Sequence, residues 1–384
     1  MSKMSKMSMT HRERVLMALD HKDPDRIPVD LGSYPSATSI NVRAYEKLLA
    51  RFGFQRELRV GSVYYFTAEV DEDILDRLGV DTIHLNPSRS FSEFAEPKEF
   101  VDPFQTKWSL SNDHTYAPTW GAFQHLENPC VDDLRRFRWP TPEELQYPLS
   151  MVRDRAREIC KRSDRARVFG VGGTIVTWAQ NMRGAGNWVI DLNMNPEFSN
   201  ALHEKLAEIW IAAGDYVLDA VGECCDIIIF GDDLGTQNQP WLSPQMFRER
   251  IQPLYKKMIA SFKRKTRAKV ALHTCGSVYE LIDDLIEAGI DILNPVQANA
   301  RNMEPEKLKK KAGDHLVFWG GISTQTVLPT GTIEDVKEEV RKKIAGFGRG
   351  GGYILSADHN ILGDIPLENL LAMFEAATKP GRYL

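Results

Sequence analysis

The chain has 384 residues, more than twice a typical domain of about 150 residues, although α/β barrels can reach that length as one unit. Its 42% hydrophobic and 26% charged residues exclude disordered, collagen-like and coiled-coil classes, and a net charge of −5 offers no basic surface for nucleic acid. Five cysteines, an odd number in so long a chain, indicate no disulfide framework and favour a reducing cytoplasm. We expect residues 1–9 to form a disordered leader, and no apolar run is long enough to predict a membrane span.

Eight short apolar runs are spaced along the chain, with helical patterns between them. The runs are Ile27–Leu31, Val80–Leu85, Val168–Val171, Asp226–Phe230, Lys269–His273, Asp291–Asn294, Leu316–Trp319 and Tyr353–Ser356. Near-continuous apolar runs are typical of parallel strands that helices cover on both faces. The predicted helices include Pro196–Val221, one opening at Ser243 and Pro244, Ser277–Ala288, Thr332–Phe347 and Pro366–Ala377.

This alternation predicts the fold class. Eight strands that alternate with helices indicate an α/β protein with a (β/α)8 TIM barrel. An amphipathic segment between His11 and His21 predicts a helical extension before the first strand. A doubly wound open sheet is the alternative.

One stretch does not follow the repeat. Residues 86–142 are rich in proline, aromatic residues and β-formers. We interpret them as an insertion after the second strand, with short antiparallel strands, that lies as a lid over the top of the barrel. A small independent domain is the alternative, but no Gly/Ser linker flanks the stretch. We therefore treat residues 1–384 as a single barrel.

Reactive side chains follow several predicted strands, at the end of a barrel where active sites form. His273 and Cys275 end the fifth strand, and His359 follows the eighth. An imidazole and a thiolate two residues apart can bind one zinc ion. Zinc usually has four ligands, so a third protein ligand from another strand would complete a site with one position open for substrate. The His-x-Cys pair alone is weak evidence for metal binding, because cysteine is usually a small core residue. Together with His359 it predicts a zinc site.

Two adjacent carboxylates, Asp232 and Asp233, follow the fourth strand. The structural interpretation is that one caps the next helix while the other faces solvent. The functional interpretation is a general base, a further metal ligand, or an acid whose pKa is raised by its neighbour. Their position at a strand end favours a catalytic role, and the sequence does not choose between these roles.

Several segments resemble those of the uroporphyrinogen decarboxylase superfamily. They are Val270–Ser277, Ile290–Val296, Phe318–Gly321, Gly352–Ser356, Pro366–Leu370, and the N-terminal Arg12–Leu19 and Asp25–Val29. Within that superfamily the chain is most similar to the zinc-dependent, corrinoid-linked methyltransferases. This resemblance implies a barrel, and it implies zinc bound by His273, Cys275 and a downstream residue. At the downstream position this chain has His359, whereas that branch has cysteine.

The resemblance implies a methyltransferase that moves a methyl group between a small O-, N- or S-methylated substrate and the cobalt of a corrinoid. The sequence has no D-x-H-x-x-G pattern, so we expect a separate protein to carry the corrinoid. Asp232 or Asp233 would handle the proton. The expected substrate-binding residues are Tyr34, Trp178, Gln297, Trp319, Asp358 and Asn360. A homodimer is possible.

Three other functions stay open. The first is a decarboxylase that acts on a tetrapyrrole or another acid without cofactor. Decarboxylases of the superfamily have an arginine-rich N-terminal segment, but Pro28–Tyr34 contains no arginine, and Asp30, Asp232, Asp233 and Asp358 would repel a polycarboxylate. The second is a metal-dependent hydrolase or lyase. The third is a non-catalytic barrel that binds a ligand or partner.

Overall fold

The computed structural model describes residues 9–91, 97–111 and 115–379, so the predicted leader lies outside the described residues except for Met9. The strands are β1 (Arg59–Ser62), β2 (Thr67–Ala68), β3 (Thr82–His84), β4 (Arg89–Ser90), β5 (Glu99–Val101), β6 (Lys107–Leu110), β7 (Tyr116–Trp120), β8 (Ala166–Gly170), β9 (Ile227–Gly231), β10 (Lys269–His273), β11 (Ile292–Val296), β12 (Val317–Ile322) and β13 (Tyr353–Ala357).

Helices separate the strands along most of the chain. The α-helices of the described residues are His11–Leu19, Val42–Arg51, Glu72–Leu78, Val131–Arg136, Pro142–Leu145, Leu149–Arg162, Val176–Arg183, Ala185–Met194, Pro196–Val221, Pro244–Arg250, Gln252–Lys265, Ile282–Ala288, Pro305–Ala312, Val327–Thr330, Ile333–Phe347 and Leu367–Thr378. None of them is long and apolar enough to cross a membrane.

A parallel sheet of seven strands forms the barrel, in the order β3-β8-β9-β10-β11-β12-β13. This order follows the chain without reversing, which excludes the doubly wound alternative and confirms the predicted barrel. The first predicted strand, Ile27–Leu31, needs a correction, because it makes only one β-bridge, between Val29 and Leu355. Pro28 has no N–H to extend that ladder. Asp81 N also donates to Val29 O (2.8 Å), so the segment joins β13 to β3 and closes the barrel.

Alternate residues of the barrel strands fill its interior. On β9, Ile227 and Ile229 belong to the interior cluster, whereas Ile228 packs outward against the helices. Val15 and Leu19 of the helix His11–Leu19 also pack in this interior cluster and are buried. The predicted N-terminal helix therefore plugs the amino end of the barrel and leaves the carboxyl end for the site.

Local capping explains where several predicted helices begin. Ser243 Oγ accepts a hydrogen bond from Met246 N (3.2 Å), and Pro244 occupies the first helical position. Thr332 Oγ1 accepts from Asp335 N, while Asp335 accepts in return from the Thr332 amide. The helix Pro196–Val221 has the predicted bounds.

The insertion after the second barrel strand contains an antiparallel sheet of β5, β6 and β7. Phe104 in this insertion stacks on Trp178, which follows β8, with ring centroids 4.7 Å apart. The insertion thus packs near the carboxyl end of the barrel, and its role as a lid stays a prediction. A second small sheet, of β1, β2 and β4, was not predicted, because its strands have only two to four residues and no clear alternation.

The cysteine interpretation also needs a correction. Cys160, in the helix Leu149–Arg162, forms a disulfide with Cys224, which lies just before β9. Packing of the chain brings together two residues that are 64 positions apart, and sequence spacing could not show this. Cys130, Cys225 and Cys275 are free.

Candidate metal centre and ligand cavity

Three potential zinc ligands meet at the carboxyl end of the barrel. His273 ends β10, Cys275 follows it, and His359 lies just after β13. Each offers a ligand atom, and these atoms all lie within 4.8 Å of one another. Cys275 Sγ is 3.6 Å from His273 Nε2. The cluster therefore joins residues from β10 and β13, which are not neighbours in the sheet, and its binding of zinc stays a prediction.

Asn294 fixes the orientation of His273. The ring nitrogen Nδ1 of His273 lies 2.7 Å from Asn294 Oδ1, and both residues are buried. An amide oxygen can only accept, so Nδ1 carries the hydrogen and Nε2 keeps its lone pair on the side of Cys275. Outer hydrogen bonds of this kind orient histidine ligands in metal sites.

The electrostatics of the three side chains suit a bound cation. Burial lowers the pKa of His273 and lowers that of His359 to about 4, so both imidazoles are neutral and able to coordinate. Burial, and then the charges of Asp233 and Asp358, raise the pKa of the Cys275 thiol. A thiolate at this position therefore needs a positive ion beside it, and a set of one sulfur and two imidazole nitrogens fits zinc.

Asp232 holds the start of the helix Val176–Arg183. Its two carboxylate oxygens accept hydrogen bonds from the amides of Ile175 (3.1 Å), Val176 (2.9 Å) and Thr177 (2.7 Å). The hydroxyl of Tyr255 donates to the same carboxylate (2.8 Å). Burial raises the pKa of Asp232 to about 6 despite these four donors. The sequence interpretation placed a cap on the next helix in the chain, whereas Asp232 caps the start of the earlier helix Val176–Arg183, which follows β8.

Asp233 lies beside the cluster. Its Oδ1 accepts a hydrogen bond from Cys275 N (3.1 Å), and its own amide donates to Thr177 Oγ1 (2.8 Å). Asp233 is only partly buried, and its charge acts on Cys275, His273 and His359. Asp233 is the acid of this pair that is close enough to serve the site.

The predicted substrate-binding residues separate into two groups. Tyr34 has its ring 5.9 Å from that of His273, and Gln297 and Asn360 line the cavity described below. Asp358 precedes His359 and is buried. By contrast, Trp178 packs in an aromatic cluster with the insertion, and Trp319 lies in the barrel interior, where its Nε1 donates to Asp30 Oδ2 (3.1 Å). Neither tryptophan is among the described residues that line the cavity.

A cavity of about 420 Å³ opens onto the cluster, within the size range of small-molecule sites. Cys275 and His359 form part of its wall. The remaining wall contains Gly235, Thr236, Gln237, Gly276, Gln297, Thr324, Gln325, Asn360 and Leu362. No lysine, arginine, aspartate or glutamate is among these described lining residues.

Sequence reasoning missed several residues of this region. Gln237 ends the polar run that follows the fourth predicted strand but was not chosen as a candidate, and Thr324 and Gln325 lie further along, in the loop after β12. Tyr65, whose ring is 6.0 Å from that of His359, lies in a segment without predicted structure. The run Tyr64-Tyr65-Phe66 was the only signal that could have drawn attention to it.

The chain was compared with known proteins. The sequence model of the family described as "Uroporphyrinogen decarboxylase (URO-D)" matches residues 119–380. The uroporphyrinogen decarboxylase of Chlorobaculum parvum is 24% identical over 239 residues, which are 61% of this chain and 64% of that protein. The methylcobamide:CoM methyltransferase MtaA of Methanosarcina barkeri is 28% identical over 176 residues, 46% of this chain and 48% of that protein.

A solved structure shares the fold over nearly the whole chain. A methyltransferase from Methanosarcina mazei superimposes with a TM-score of 0.65 and 18% identity, covering 96% of this chain and 98% of that protein. The chain spans just under two thirds of the length of the Chlorobaculum parvum decarboxylase. The family match covers more than half of the described barrel, including β8 to β13 and the three clustered ligands. The chain therefore belongs to the uroporphyrinogen decarboxylase (URO-D) family.

Proposed function

We propose that this protein is a zinc-dependent methyltransferase that moves a methyl group between a small methylated substrate and the cobalt of a corrinoid carried by a separate protein. The observation that carries the proposal is the cluster of His273, Cys275 and His359, of which Cys275 and His359 form part of the wall of a ligand-sized cavity. Three protein ligands leave a coordination position for a substrate atom. The similarity to a methylcobamide methyltransferase supports the same chemistry.

The bound groups would supply the reactive chemistry. Zinc held by His273, Cys275 and His359 would act as a Lewis acid toward the oxygen, nitrogen or sulfur atom that carries or receives the methyl group. The corrinoid would supply the cobalt that accepts or donates methyl. The site has two imidazoles and one thiolate, so it is less rich in sulfur than a site with cysteine in place of His359. Sulfur-rich sites suit thiol substrates, whereas this set of ligands better suits a substrate that binds zinc through oxygen.

The protein's own residues would orient the metal ligands and transfer the proton. Asn294 orients His273, and Asp232 anchors the helix that follows β8. We assign proton handling to Asp233, because it is partly exposed and its carboxylate contacts the Cys275 amide. Tyr34 and Gln297 border the region where substrate would bind.

A decarboxylase is the second candidate, because the curated relatives include several uroporphyrinogen decarboxylases. Such an enzyme acts on a substrate with many carboxylates. The lining of the cavity offers no lysine or arginine to bind them, and Asp233 and Asp358 lie nearby. We therefore rank methyl transfer above decarboxylation.

Metal content with matched variants tests the proposal. We expect about one zinc per chain in the wild-type protein, measured by mass spectrometry of the elements, and near-complete loss in His273→Ala, Cys275→Ser and His359→Ala. His315→Ala and Cys130→Ser, which change exposed residues of the same types, should keep the zinc. An active, zinc-free protein, or zinc that survives Cys275→Ser, would contradict the proposal.

Activity is tested with free cob(I)alamin. Methyl transfer from a methylated substrate to cob(I)alamin changes the visible spectrum of the cobalamin, and release of carbon dioxide from uroporphyrinogen reports decarboxylase activity instead.

A homodimer stays a prediction. A cytoplasmic location also stays a prediction. The Cys160–Cys224 disulfide is a structural observation against it, because a reducing compartment disfavours disulfides.

A further inference from the structure

We infer that the cavity selects methylated or methyl-accepting substrates whose remaining part, apart from the methyl-bearing atom, is neutral or positively charged. It discriminates against substrates in which that part is anionic. This inference rests on the proposed function and specifies the substrate class of the same site. Three features of the described residues carry it: the uncharged wall of the cavity, two carboxylates beside the cluster, and the way in which those carboxylates are hydrogen-bonded.

The wall of the cavity is polar but uncharged. Its polar side chains are Thr236, Gln237, Gln297, Thr324, Gln325 and Asn360. Proteins normally bind a carboxylate, sulfonate or phosphate with an arginine, a lysine or several aligned backbone amides. Amide and hydroxyl side chains instead satisfy hydroxyl, ether and amide groups of an uncharged ligand.

Two carboxylates make the surroundings of the cavity negative. Asp358 is 2% exposed, and its Oδ1 accepts from Thr324 N and Thr324 Oγ1, both at 2.8 Å. Lys343, the cation that acts on Asp358, has its Nζ 2.9 Å from a carboxylate oxygen of Glu339. Asp233 accepts from the Cys275 amide. Neither carboxylate is neutralised by an arginine or lysine at hydrogen-bond distance among the described residues.

A bound divalent ion would not reverse this balance. The thiolate of Cys275, Asp233 and Asp358 together carry three formal negative charges, whereas the ion carries two positive ones. An anionic ligand would therefore enter a site that is still negative, and charges of the same sign repel one another, most strongly at low ionic strength. A neutral ligand avoids this repulsion, and a cationic ligand is attracted by the negative charge of the site.

The wall also indicates which residue sets the preference. Gln297 Oε1 accepts from Gly276 N (2.6 Å), and the amide of Asn360 is engaged by Ser39 N and Ser36 O. Gln325 is an exposed lining residue, and in the described chain no protein group is hydrogen-bonded to its side-chain amide. We therefore take Gln325 as the position where a positive charge would convert the site to anion binding.

Three thiols of equal reach test the inference. They are 2-mercaptoethanol (neutral), thiocholine (cationic) and 2-mercaptoethanesulfonate (anionic), titrated into protein loaded with cobalt(II) and followed by the cobalt absorption spectrum. We expect the neutral and cationic thiols to bind at least about tenfold more tightly than the sulfonate at low ionic strength. The gap should narrow as salt is added.

Variants make the test specific. Gln325→Lys should tighten sulfonate binding by about tenfold and weaken thiocholine binding, whereas Gln55→Lys, the same charge change at an exposed loop position outside the cavity, should leave all three affinities unchanged. A sulfonate that binds the wild-type protein as tightly as the neutral thiol would overturn the inference alone. Failure of the protein to bind cobalt would overturn the proposed function, and this inference with it.

Discussion

Buried aspartates at the two ends of the barrel have opposite surroundings. At the amino end, Asp81 precedes β3 and accepts hydrogen bonds from Arg14 (2.6 Å), Arg26 (2.6 Å) and His11 (2.7 Å). At the carboxyl end, Asp232 and Asp358 accept only from amides and hydroxyls. The first carboxylate is paired with cations, and the other two are not.

The pKa values of these groups follow their partners. Burial alone would raise the pKa of Asp81, but the His11 hydrogen bond and the charges of Arg26 and Arg14 outweigh it, so that the pKa is lowered. Burial raises the pKa of Asp232 and of Asp358 to about 6, because no comparable cation opposes it. At the amino end the carboxylate is paired with cations and stabilises the fold, whereas the carboxylates at the carboxyl end are hydrogen-bonded only to neutral groups, where a cation and a ligand would bind.

The largest effect is expected from breaking the amino-end network. Asp81→Asn leaves Arg14 and Arg26 buried beside a neutral amide and should lower the free energy of unfolding by about 3–5 kcal/mol, measured by urea denaturation. Asp283→Asn, which removes an exposed ion pair with Lys311, should cost less than about 1 kcal/mol. Equal losses in the two variants would contradict the distinction between the two ends.

The same network predicts an acid dependence. Because the folded pKa of Asp81 lies below the unfolded value of about 3.9, its stabilisation is complete above that pH and is lost as pH falls through the folded pKa. The difference in unfolding free energy between the wild-type protein and Asp81→Asn should therefore be constant above about pH 5 and should begin to shrink as the pH falls below about 4. A difference that stays constant down to about pH 3 would show that Asp81 acts without its charge.

At the carboxyl end, the next effect concerns metal affinity. Asn294→Leu removes the acceptor for His273 Nδ1 at similar side-chain volume and should weaken zinc binding about 10- to 100-fold, measured by competition with a chelator. Asn294→Asp keeps an acceptor and should retain most of the affinity. If both variants lose affinity equally, Asn294 is only a packing residue.

A smaller effect is expected from removing the neighbouring charge. Asp358→Asn should weaken zinc binding by about tenfold and change the unfolding free energy by less than about 1 kcal/mol, because its partners are neutral groups of Thr324. Asp364→Asn, an exposed change in the same loop, should leave zinc affinity unaltered. A large loss of stability without loss of zinc would place Asp358 with the structural aspartates.

The sequence predicted the barrel and the proximity of His273, Cys275 and His359 for the same physical reason. Strands buried on both faces appear as apolar runs, and parallel strands bring their carboxyl ends together, so His273 and His359 could be paired across the chain. The side-chain direction within a strand was harder to predict. Trp319 is the last residue of the apolar run Leu316–Trp319 and lies within β12, yet its side chain points into the barrel interior, because neighbouring residues of a strand face opposite sides.

Features that depend on packing could not be predicted. The role of Asn294 depends on the register between β10 and β11, which pairs it directly with His273. The Cys160–Cys224 disulfide depends on how the helix Leu149–Arg162 packs against the turn before β9. For the same reason the sequence could not show that Asp232 caps a helix whereas Asp233 faces the cluster.

X-ray absorption at the zinc edge tests the central claim most directly. For the wild-type protein we expect one sulfur at about 2.3 Å and nitrogen ligands at about 2.0–2.1 Å, with imidazole scattering from His273 and His359. His359→Cys should raise the sulfur count from one to two without loss of zinc. A site with no sulfur, or a sulfur count unchanged by His359→Cys, would contradict the assignment of His273, Cys275 and His359 as the metal centre.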